Sequence, residues 1–497
     1  MLKQLLGLAA LGASFVAAAS AVAQPSPRPA AAPAFAAEPW LEDLAAMREA
    51  LRTKYANLPW LLEEREVDLD GLFTRAERLL RTARSDAEAT AILNRLVQRI
   101  GDGHVNLNWA RPPALPVPPP VGPAPVPSAA DFCRARGYDS GQASPGIGPA
   151  LTGYTALDAD PVLPAGTFSS GGTRYGILRI GIFDPHGFPS LCTDAVTALS
   201  IPLDRPCDES CDNAIVTHAY RRLNAAMIAR LAALRAAGAE ILLVDITGNG
   251  GGSEWTEAAA RMVTARSLQS ARMAFVRGDH WTGIWGRLEE RLRGFAASAS
   301  GAERARLLAW AGEAAAAKAQ AQRRCPPAGD PACPWLGRAG FATGLVGRVR
   351  EGEFAEEDWG VWIFNPGQHP YREGAWRGPV AVLTDNETWS AAEQFAALLQ
   401  DNRAALIVGA RTGGSGCGHT WGGTPTRLPR SGATLTLPDC VRLRADGSNE
   451  VRGVIPDLLL GWRANDGRTF RARMLEAALP EAAARARALH ASPTAQR

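Results

Sequence analysis

Ser390 is a residue whose position in the sequence could support chemistry. An apolar, strand-like run at residues 380–383 leads into a polar turn, and apolar residues recur at helical spacing after Ser390. Ser390 therefore stands where a strand gives way to a helix, at the helix end that has unpaired N–H groups and a positive dipole. A hydroxyl in this position can act as a nucleophile, with the N–H of Ala391 donating to the oxyanion that forms.

The same serine also has a purely structural interpretation. Ser390 and Glu393 form the Ser-x-x-Glu pattern of a capping box ahead of an apolar run. This pattern alone does not separate a capping serine from a nucleophile, so other stretches must decide between them.

A second turn that could take part in catalysis is Gly248-Asn-Gly-Gly-Gly252. Consecutive glycines let backbone N–H groups face a bound carbonyl with no side chain in the way, whereas a plain tight turn needs fewer glycines. Gly250, Gly251 and Gly252 are therefore candidates for an oxyanion hole. The turn lacks the Lys-Ser/Thr of a phosphate-binding loop, so we do not expect a nucleotide here.

A serine nucleophile needs a base. The chain has only three lysines, in the expected signal sequence, the first helical region and an inserted helix, so a serine–lysine dyad is hard to build. Histidine remains, and His104, His186 and His419 all follow turns. His104 stands out because Gly101-Asp-Gly103 ends a helical pattern and leaves the imidazole at an element boundary.

The first residues predict export. Residues 1–23 have a lysine, an apolar run and a small-residue site ending at Ala23, as a secretory signal does, so we expect a periplasmic or secreted protein. No later stretch is apolar for long enough to span a bilayer. The formal net charge is only +3, so we expect neither nucleic acid nor a charged membrane surface as a partner.

Export changes how the eight cysteines are interpreted. An even number of cysteines in an oxidising compartment favours disulfides, and Cys325/Cys333 and Cys417/Cys440 are the natural close pairs. Sequence alone does not fix the connectivity. A metal site of Cys417, His419 and Cys440 is an alternative, but its spacing matches no familiar zinc pattern. We expect no metal and no other cofactor.

Patterning divides the chain into segments. They are a signal peptide (1–23), a Pro/Ala-rich leader (24–38), an N-terminal helical domain (39–110), a Pro-rich connector with an irregular segment (111–172), a core in two parts (173–264 and 379–465), a helical insertion between them (265–378), and a C-terminal helix and tail (466–497). Seven of the fourteen tryptophans lie in the insertion. They could form the core of a small subdomain, or a lid that grips an extended substrate.

Four motifs occur in the order found in the tail-specific, carboxy-terminal-processing serine peptidases. They are Val244-Asp-Ile-Thr-Gly-Asn-Gly-Gly-Gly252, Thr388-Trp-Ser-Ala-Ala-Glu393 followed by Asp401, Val408-Gly-x-x-Thr-Gly-Gly414, and Gly453-Val-Ile-Pro-Asp457. The resemblance covers residues 173–262 and 379–462. It implies an α/β fold with a crotonase/ClpP-like core of β-β-α units, Ser390 as the nucleophile, and an oxyanion hole from Ala391 and residues 250–252.

The resemblance also bears on the base. In the lysine-dependent branch of the family the base lies twenty-five residues after the serine, where this chain has Ser415, and the PDZ module of that branch is not evident. The chain looks closer to the tricorn-core-like branch, which uses a histidine from before the core and a late glutamate. Gly101-Asp-Gly-His104 resembles its histidine region, and Glu450 is the candidate for the orienting acid.

These residues together predict a peptidase that acts on a peptide or protein. His104 would take the Ser390 proton, backbone N–H groups would hold the oxyanion, and Glu450 would fix the histidine tautomer, directly or through a hydroxyl such as that of Ser415. The alternative is a binding protein on the same fold that holds an apolar ligand or peptide. Retinoid-binding repeats, which resemble these peptidases, are the precedent for it.

Overall fold

A computed structural model of the chain describes residues 35–109, 126–143, 146–158, 161–325, 333–354 and 356–492. The expected signal sequence, the leader as far as residue 34 and most of the Pro-rich connector lie outside these residues. Within the described part of the chain, no helix combines the length and the apolar character that crossing a bilayer requires.

The described residues form twelve α-helices and thirteen strands. The helices are α1 (Glu38–Lys54), α2 (Leu69–Thr82), α3 (Asp86–Ile100), α4 (Ala129–Ala135), α5 (Pro189–Ala198), α6 (Glu209–Ala236), α7 (Trp255–Met262), α8 (Asp279–Ser298), α9 (Gly301–Gln322), α10 (Gly360–Ile363), α11 (Ala391–Asp401) and α12 (Arg468–Ala491). The strands are β1 (Asn106–Asn108), β2 (Thr155–Ala156), β3 (Ala165–Ser170), β4 (Thr173–Arg179), β5 (Ile241–Asp245), β6 (Arg272–Val276), β7 (Leu336–Phe341), β8 (Val380–Thr384), β9 (Leu406–Gly409), β10 (Thr426–Arg427), β11 (Thr434–Thr436), β12 (Cys440–Leu443) and β13 (Leu458–Leu459).

A seven-stranded sheet in the order β13-β9-β8-β5-β4-β3-β2 lies at the centre of the α/β core. The five strands from β13 to β4 run parallel, and β3 and β2 complete one edge in antiparallel pairing. Because parallel strands end at the same edge of a sheet, the turn after β5 and the turn after β8 lie side by side. These turns carry the glycine run and Ser390.

Both faces of the central sheet are covered, which explains why β5 and β8 are continuous apolar runs rather than alternating ones. Leu242 and Val244 of β5 join the cluster that contains Trp255 of α7 and Phe395 of α11. The alternate residues of β5 join a second cluster with α12, through residues such as Leu475. Helix α11, which follows Ser390, is thus packed along its length against the sheet.

The N-terminal helices share a core with strands from the end of the chain. Leu51, Phe73 and Leu93 of α1–α3 are buried in one cluster with Leu435 and Val451. Strand β1 pairs antiparallel with β11 across a sequence separation of 330 residues. The segment that follows α3 is therefore held against the C-terminal third of the chain.

The Trp-rich insertion contains a pair of contacting helices, α8 and α9. They are separated at residues 299–300. Four of its tryptophans are buried in one cluster, namely Trp281, Trp285, Trp310 and Trp359. This burial supports the interpretation as a subdomain core. The insertion is joined to the rest of the protein by the sheet β12-β6-β7.

All eight cysteines are paired in disulfide bonds. The predicted pairs Cys325–Cys333 and Cys417–Cys440 are confirmed, and the others are Cys133–Cys192 and Cys207–Cys211. Because the sulfurs of Cys417 and Cys440 are bonded to each other, they are not available as thiolate ligands for a metal. Four disulfides are typical of proteins outside the cytosol.

Candidate active site

Ser390 occupies a strained turn at the start of α11. Its φ of +56° and ψ of −118° are rare for a residue with a side chain. Such conformations persist where the surroundings enforce them, and they cluster at functional sites. Two hydrogen bonds fasten this turn to the glycine turn, from the Trp389 N–H to the Asn249 carbonyl at 2.9 Å and from the Thr388 hydroxyl to the Ile246 carbonyl at 3.1 Å.

His104 reaches Ser390 across the fold. Its Nε2 lies 3.0 Å from Ser390 Oγ, and its Nδ1 lies 3.1 Å from the main-chain carbonyl of Ser415. A carbonyl can only accept a hydrogen bond, so Nδ1 carries the proton and the Nε2 lone pair faces the serine. This tautomer is the one that can remove a proton from the hydroxyl.

A buried carboxylate shapes the turn that delivers His104. Asp102 accepts the His104 N–H on one oxygen at 2.9 Å, and on the other it accepts Tyr55 Oη and Asn57 Nδ2, each also at 2.9 Å. Burial raises the pKa of Asp102, and its hydrogen bonds oppose that rise. The N-terminal helices thus set the backbone of the histidine through Asp102.

The surroundings of His104 keep it neutral. Burial lowers the pKa of His104 from 6.5 to about 4, although the Ser415 carbonyl favours the charged form. His419, from the loop after β9, lies with its Nε2 3.0 Å from the His104 carbonyl. A Cβ placed on Gly418 would lie only 3.1 Å from His104 Nε2, so this loop covers the imidazole closely.

Glu393 connects the turn at Ser390 with the loop whose Ser415 carbonyl faces His104. It is fully buried, and its carboxylate accepts the Ser390 N–H at 3.0 Å in a capping-box arrangement. It also accepts the Thr412 hydroxyl at 2.6 Å and the N–H groups of Gly414 and Ser415, each at 2.7 Å. The Glu393 half of the capping box is therefore present, while the Ser390 hydroxyl lies beside His104.

The glycine turn lies directly against Ser390. A Cβ on Gly251 would come within 2.7 Å of Ser390 Cβ, and the φ of Gly251 is +112°, so only glycine fits. The Gly251 N–H donates to Asn249 Oδ1 at 2.8 Å, so this residue contributes space rather than a free donor. Within the described residues, the N–H groups of Gly250 and Gly252 have no protein acceptor. The Ala391 N–H is the first of α11 and has no partner in the helix.

Glu450 lies close to the site, with both carboxylate oxygens 2.8 Å from donors of Arg442. The same guanidinium lies 2.9 Å from the Gly416 carbonyl and 3.3 Å from the Ser390 carbonyl. The structure thus brings Ser390, His104 and the glycine turn together. Glu450 is connected to them through the side chain of Arg442. His186 is elsewhere, with its Nδ1 2.6 Å from Asp184.

Sequence reasoning missed the roles of two residues at this site. Local spacing indicates a helix cap for Glu393 and does not show its contacts to the loop at residues 412–416. Arg442 is not among the candidate residues of the sequence analysis. An arginine between Val441 and Leu443 in an apolar run was the available signal, since a buried charge requires a partner.

Comparison with known proteins agrees with this fold. Residues 216–460 match the sequence profile of Peptidase family S41. Mature CPAF has a TM-score of 0.58 at 16% identity, covering 92% of this chain and 99% of that chain. CPAF complexed with lactacystin has a TM-score of 0.57 at 16% identity, covering 91% of this chain and 99% of that chain. At this identity the likeness concerns the fold alone.

A sequence relative is known for one part of the chain. An uncharacterized protein of Chlamydia muridarum (strain MoPn / Nigg) is 36% identical over 99 residues. The match covers 20% of this chain and 16% of that protein, so it concerns a short segment of both.

Proposed function

We propose that the chain is a serine peptidase of family S41, whose profile residues 216–460 match, and that it hydrolyses peptide bonds through an acyl-enzyme on Ser390. The observation that carries the proposal is the distance of 3.0 Å between His104 Nε2 and Ser390 Oγ. A serine that only caps a helix does not require a neutral imidazole beside its hydroxyl, whereas a nucleophile requires a base there.

The first half of the reaction forms the acyl-enzyme. His104 Nε2 accepts the hydroxyl proton while Ser390 Oγ attacks the peptide carbonyl carbon, and the carbonyl oxygen becomes the oxyanion. When the tetrahedral intermediate collapses, the C–N bond breaks and His104 returns the proton to the leaving amine. In the second half, His104 activates a water that releases the acyl group from Ser390.

The N–H groups of Ala391, Gly250 and Gly252 supply the oxyanion donors in this proposal. Each donor of such a hole typically contributes about 3 kcal/mol to the stability of the transition state. The absence of a side chain at Gly251 keeps the space beside Ser390 open for the carbonyl.

The enzyme works outside the cytosol in this proposal, after removal of residues 1–23. The four disulfides support that compartment. Mass spectrometry of the mature protein would test it, with Gln24 as the expected first residue.

A fluorophosphonate probe tests the nucleophile. Wild-type protein should be labelled on Ser390 and should hydrolyse peptides, and Ser390→Ala should lose both properties. The variant should keep the fold, with a stability change of about 1 kcal/mol or less, because only the side chain at the helix start is lost. A protein without labelling or turnover would favour the binding-protein alternative.

The matched control is Ser85→Ala. Ser85 caps α3 by accepting the Glu88 N–H at 3.2 Å, and this contact is purely local. This variant should lose about 1 kcal/mol of stability and keep full labelling of Ser390. If Ser390→Ala retains peptide hydrolysis, the assignment of the nucleophile is wrong.

A further inference from the structure

We infer that Arg442 is a positioning residue through which Glu450 sets the geometry of the nucleophile and the base, in place of a direct contact between Glu450 and His104. This inference rests on the proposed function, since it concerns the same reaction at Ser390.

The first argument is the set of acceptors around one guanidinium. Arg442 Nε and Nη2 each donate to one oxygen of Glu450 at 2.8 Å, which is a bidentate contact between a guanidinium and a carboxylate. Nη2 also lies 2.9 Å from the carbonyl of Gly416 and 3.3 Å from that of Ser390. A single rigid, planar group thus contacts the nucleophile residue and the loop beside the base.

The second argument is what those two carbonyls control. The Ser390 carbonyl belongs to the strained turn that aims its own hydroxyl. Gly416 directly follows Ser415, whose carbonyl fixes the His104 tautomer from 3.1 Å away. A shift of Arg442 would therefore move the hydroxyl and the imidazole relative to each other.

The third argument is the burial of the ion pair. The Arg442 and Glu450 side chains are only 10% and 1% exposed. A buried ion pair is weak as a stabilising device, because the cost of desolvating two charges offsets their attraction. Glu450 holds the guanidinium in one orientation, in which Nη2 also faces the two carbonyls.

The chain contains a matched pair that lacks these contacts. Arg444, just past the end of β12, pairs with Asp401 at the far end of α11 at 2.7 Å, and this pair is also largely buried, at 14% and 19% exposure. The Arg444 guanidinium also donates to Gln400 Oε1 at 2.7 Å, and Asp401 also accepts the Ala445 N–H at 3.0 Å. The Arg444–Asp401 pair is therefore also a largely buried arginine–carboxylate pair beside α11. Neither of its side chains contacts Ser390 or Gly416.

The experiment compares two charge-removing double variants, Arg442→Met with Glu450→Gln, and Arg444→Met with Asp401→Asn. Each variant removes both charges of a buried pair together, and folding is checked by thermal denaturation. For the Arg442/Glu450 variant we expect kcat to fall about 10- to 100-fold, since small misplacements of reacting groups have effects of this size. KM should change less than about threefold, because substrate binding is retained. The rate of fluorophosphonate labelling should fall in parallel with kcat.

The control variant should keep kcat within about threefold of wild type, as expected for a pair with no contact to the reacting groups. Arg442→Lys is a second test variant, because it keeps the buried charge but lacks the planar fork. It should also lower kcat more than it changes KM.

Two outcomes would overturn the inference, and they are distinguishable. If wild type is active and the folded Arg442/Glu450 variant keeps its kcat, Arg442 is only a structural ion pair and the proposed function stands. If wild type neither hydrolyses peptides nor reacts with the fluorophosphonate, the proposed function fails and this inference fails with it.

Discussion

Nδ1 of His104 lies 3.1 Å from the main-chain carbonyl of Ser415. In many catalytic triads this position is held by a carboxylate, which stabilises the imidazolium by charge. Here a neutral carbonyl fixes the tautomer, and the charged groups that face the ring are Arg442, Glu450 and, when protonated, His419. Burial outweighs these charges and keeps His104 in its neutral form, with its pKa lowered to about 4.

The first prediction concerns the pH dependence of hydrolysis. His104 acts as a base only when unprotonated, and burial lowers its pKa to about 4. Activity should therefore be fully present above this value and lost as the pH falls through it. The acid limb of kcat/KM should have a midpoint near pH 4, with circular dichroism confirming that the protein stays folded there. A midpoint near 6.5, the pKa of an unperturbed histidine, would contradict the assignment.

Replacing His104 should abolish general base catalysis. His104→Ala is expected to lower kcat by about 10²- to 10⁴-fold, the usual contribution of a positioned base. His186→Ala is the control, because that imidazole contacts Asp184 and lies outside the site. Wild-type rates in His104→Ala would show that another group takes the proton.

A third prediction concerns Glu393. In Glu393→Gln, the amide group replaces one acceptor oxygen with a donor that faces backbone N–H groups. We expect a loss of about 1–3 kcal/mol in the free energy of unfolding, together with a lower kcat, because buried donors are left unsatisfied. The control is the exposed Glu387→Gln in the same turn, which should stay within about 0.5 kcal/mol of wild type. Equal stability of the two variants would show that the Glu393 contacts are dispensable.

A fourth prediction separates backbone strain from contact with the nucleophile. Gly251→Ala combines a φ of +112° with a Cβ only 2.7 Å from Ser390 Cβ, so it should lower kcat by about 10²-fold through displacement of the hydroxyl. Gly447→Ala also has a positive φ, of +81°, but its Cβ would meet open space. The Gly447 variant should lose about 1 kcal/mol of stability and keep its kcat. If both variants were equally active, the close packing of Gly251 on Ser390 would be unimportant.

A fifth prediction concerns the Cys417–Cys440 disulfide. It anchors the loop whose Gly418 and His419 cover His104, and its sequence separation is 23 residues. Replacing both cysteines by serine should cost about 3 kcal/mol of stability and lower kcat, because the imidazole loses its cover. The same change at Cys325 and Cys333 removes a bridge with a separation of only 8 residues. That control should affect stability less and leave kcat near wild type.

The sequence allowed prediction of the elements that depend on local patterns. The strand before Ser390 and the helix after it both follow from apolar patterning and turn residues. The pairing of β1 with β11 could not be predicted in this way, because it joins residues 330 positions apart. The same limit applies to the Ser415 carbonyl, since any backbone can supply one and no side chain marks it.

Glu450 illustrates a different limit. The family resemblance indicates Glu450 as the acid that orients His104. In the structure its carboxylate lies beside the site and contacts Arg442. Its role as the orienting acid remains a prediction. A sequence shows which residues are charged, but it does not show which buried charges pair. At this site, tertiary packing decides the pairing among Glu393, Arg442 and Glu450.

The pairing of β1 with β11 has a consequence for biosynthesis. During translation His104 is made early and Ser390 much later. Strand β11, which pairs with β1 just after His104, is made later still. A nascent chain that ends before β11 contains both reacting side chains without the means to align them. Hydrolysis at Ser390 should therefore begin only after β11 has been made and has paired with β1.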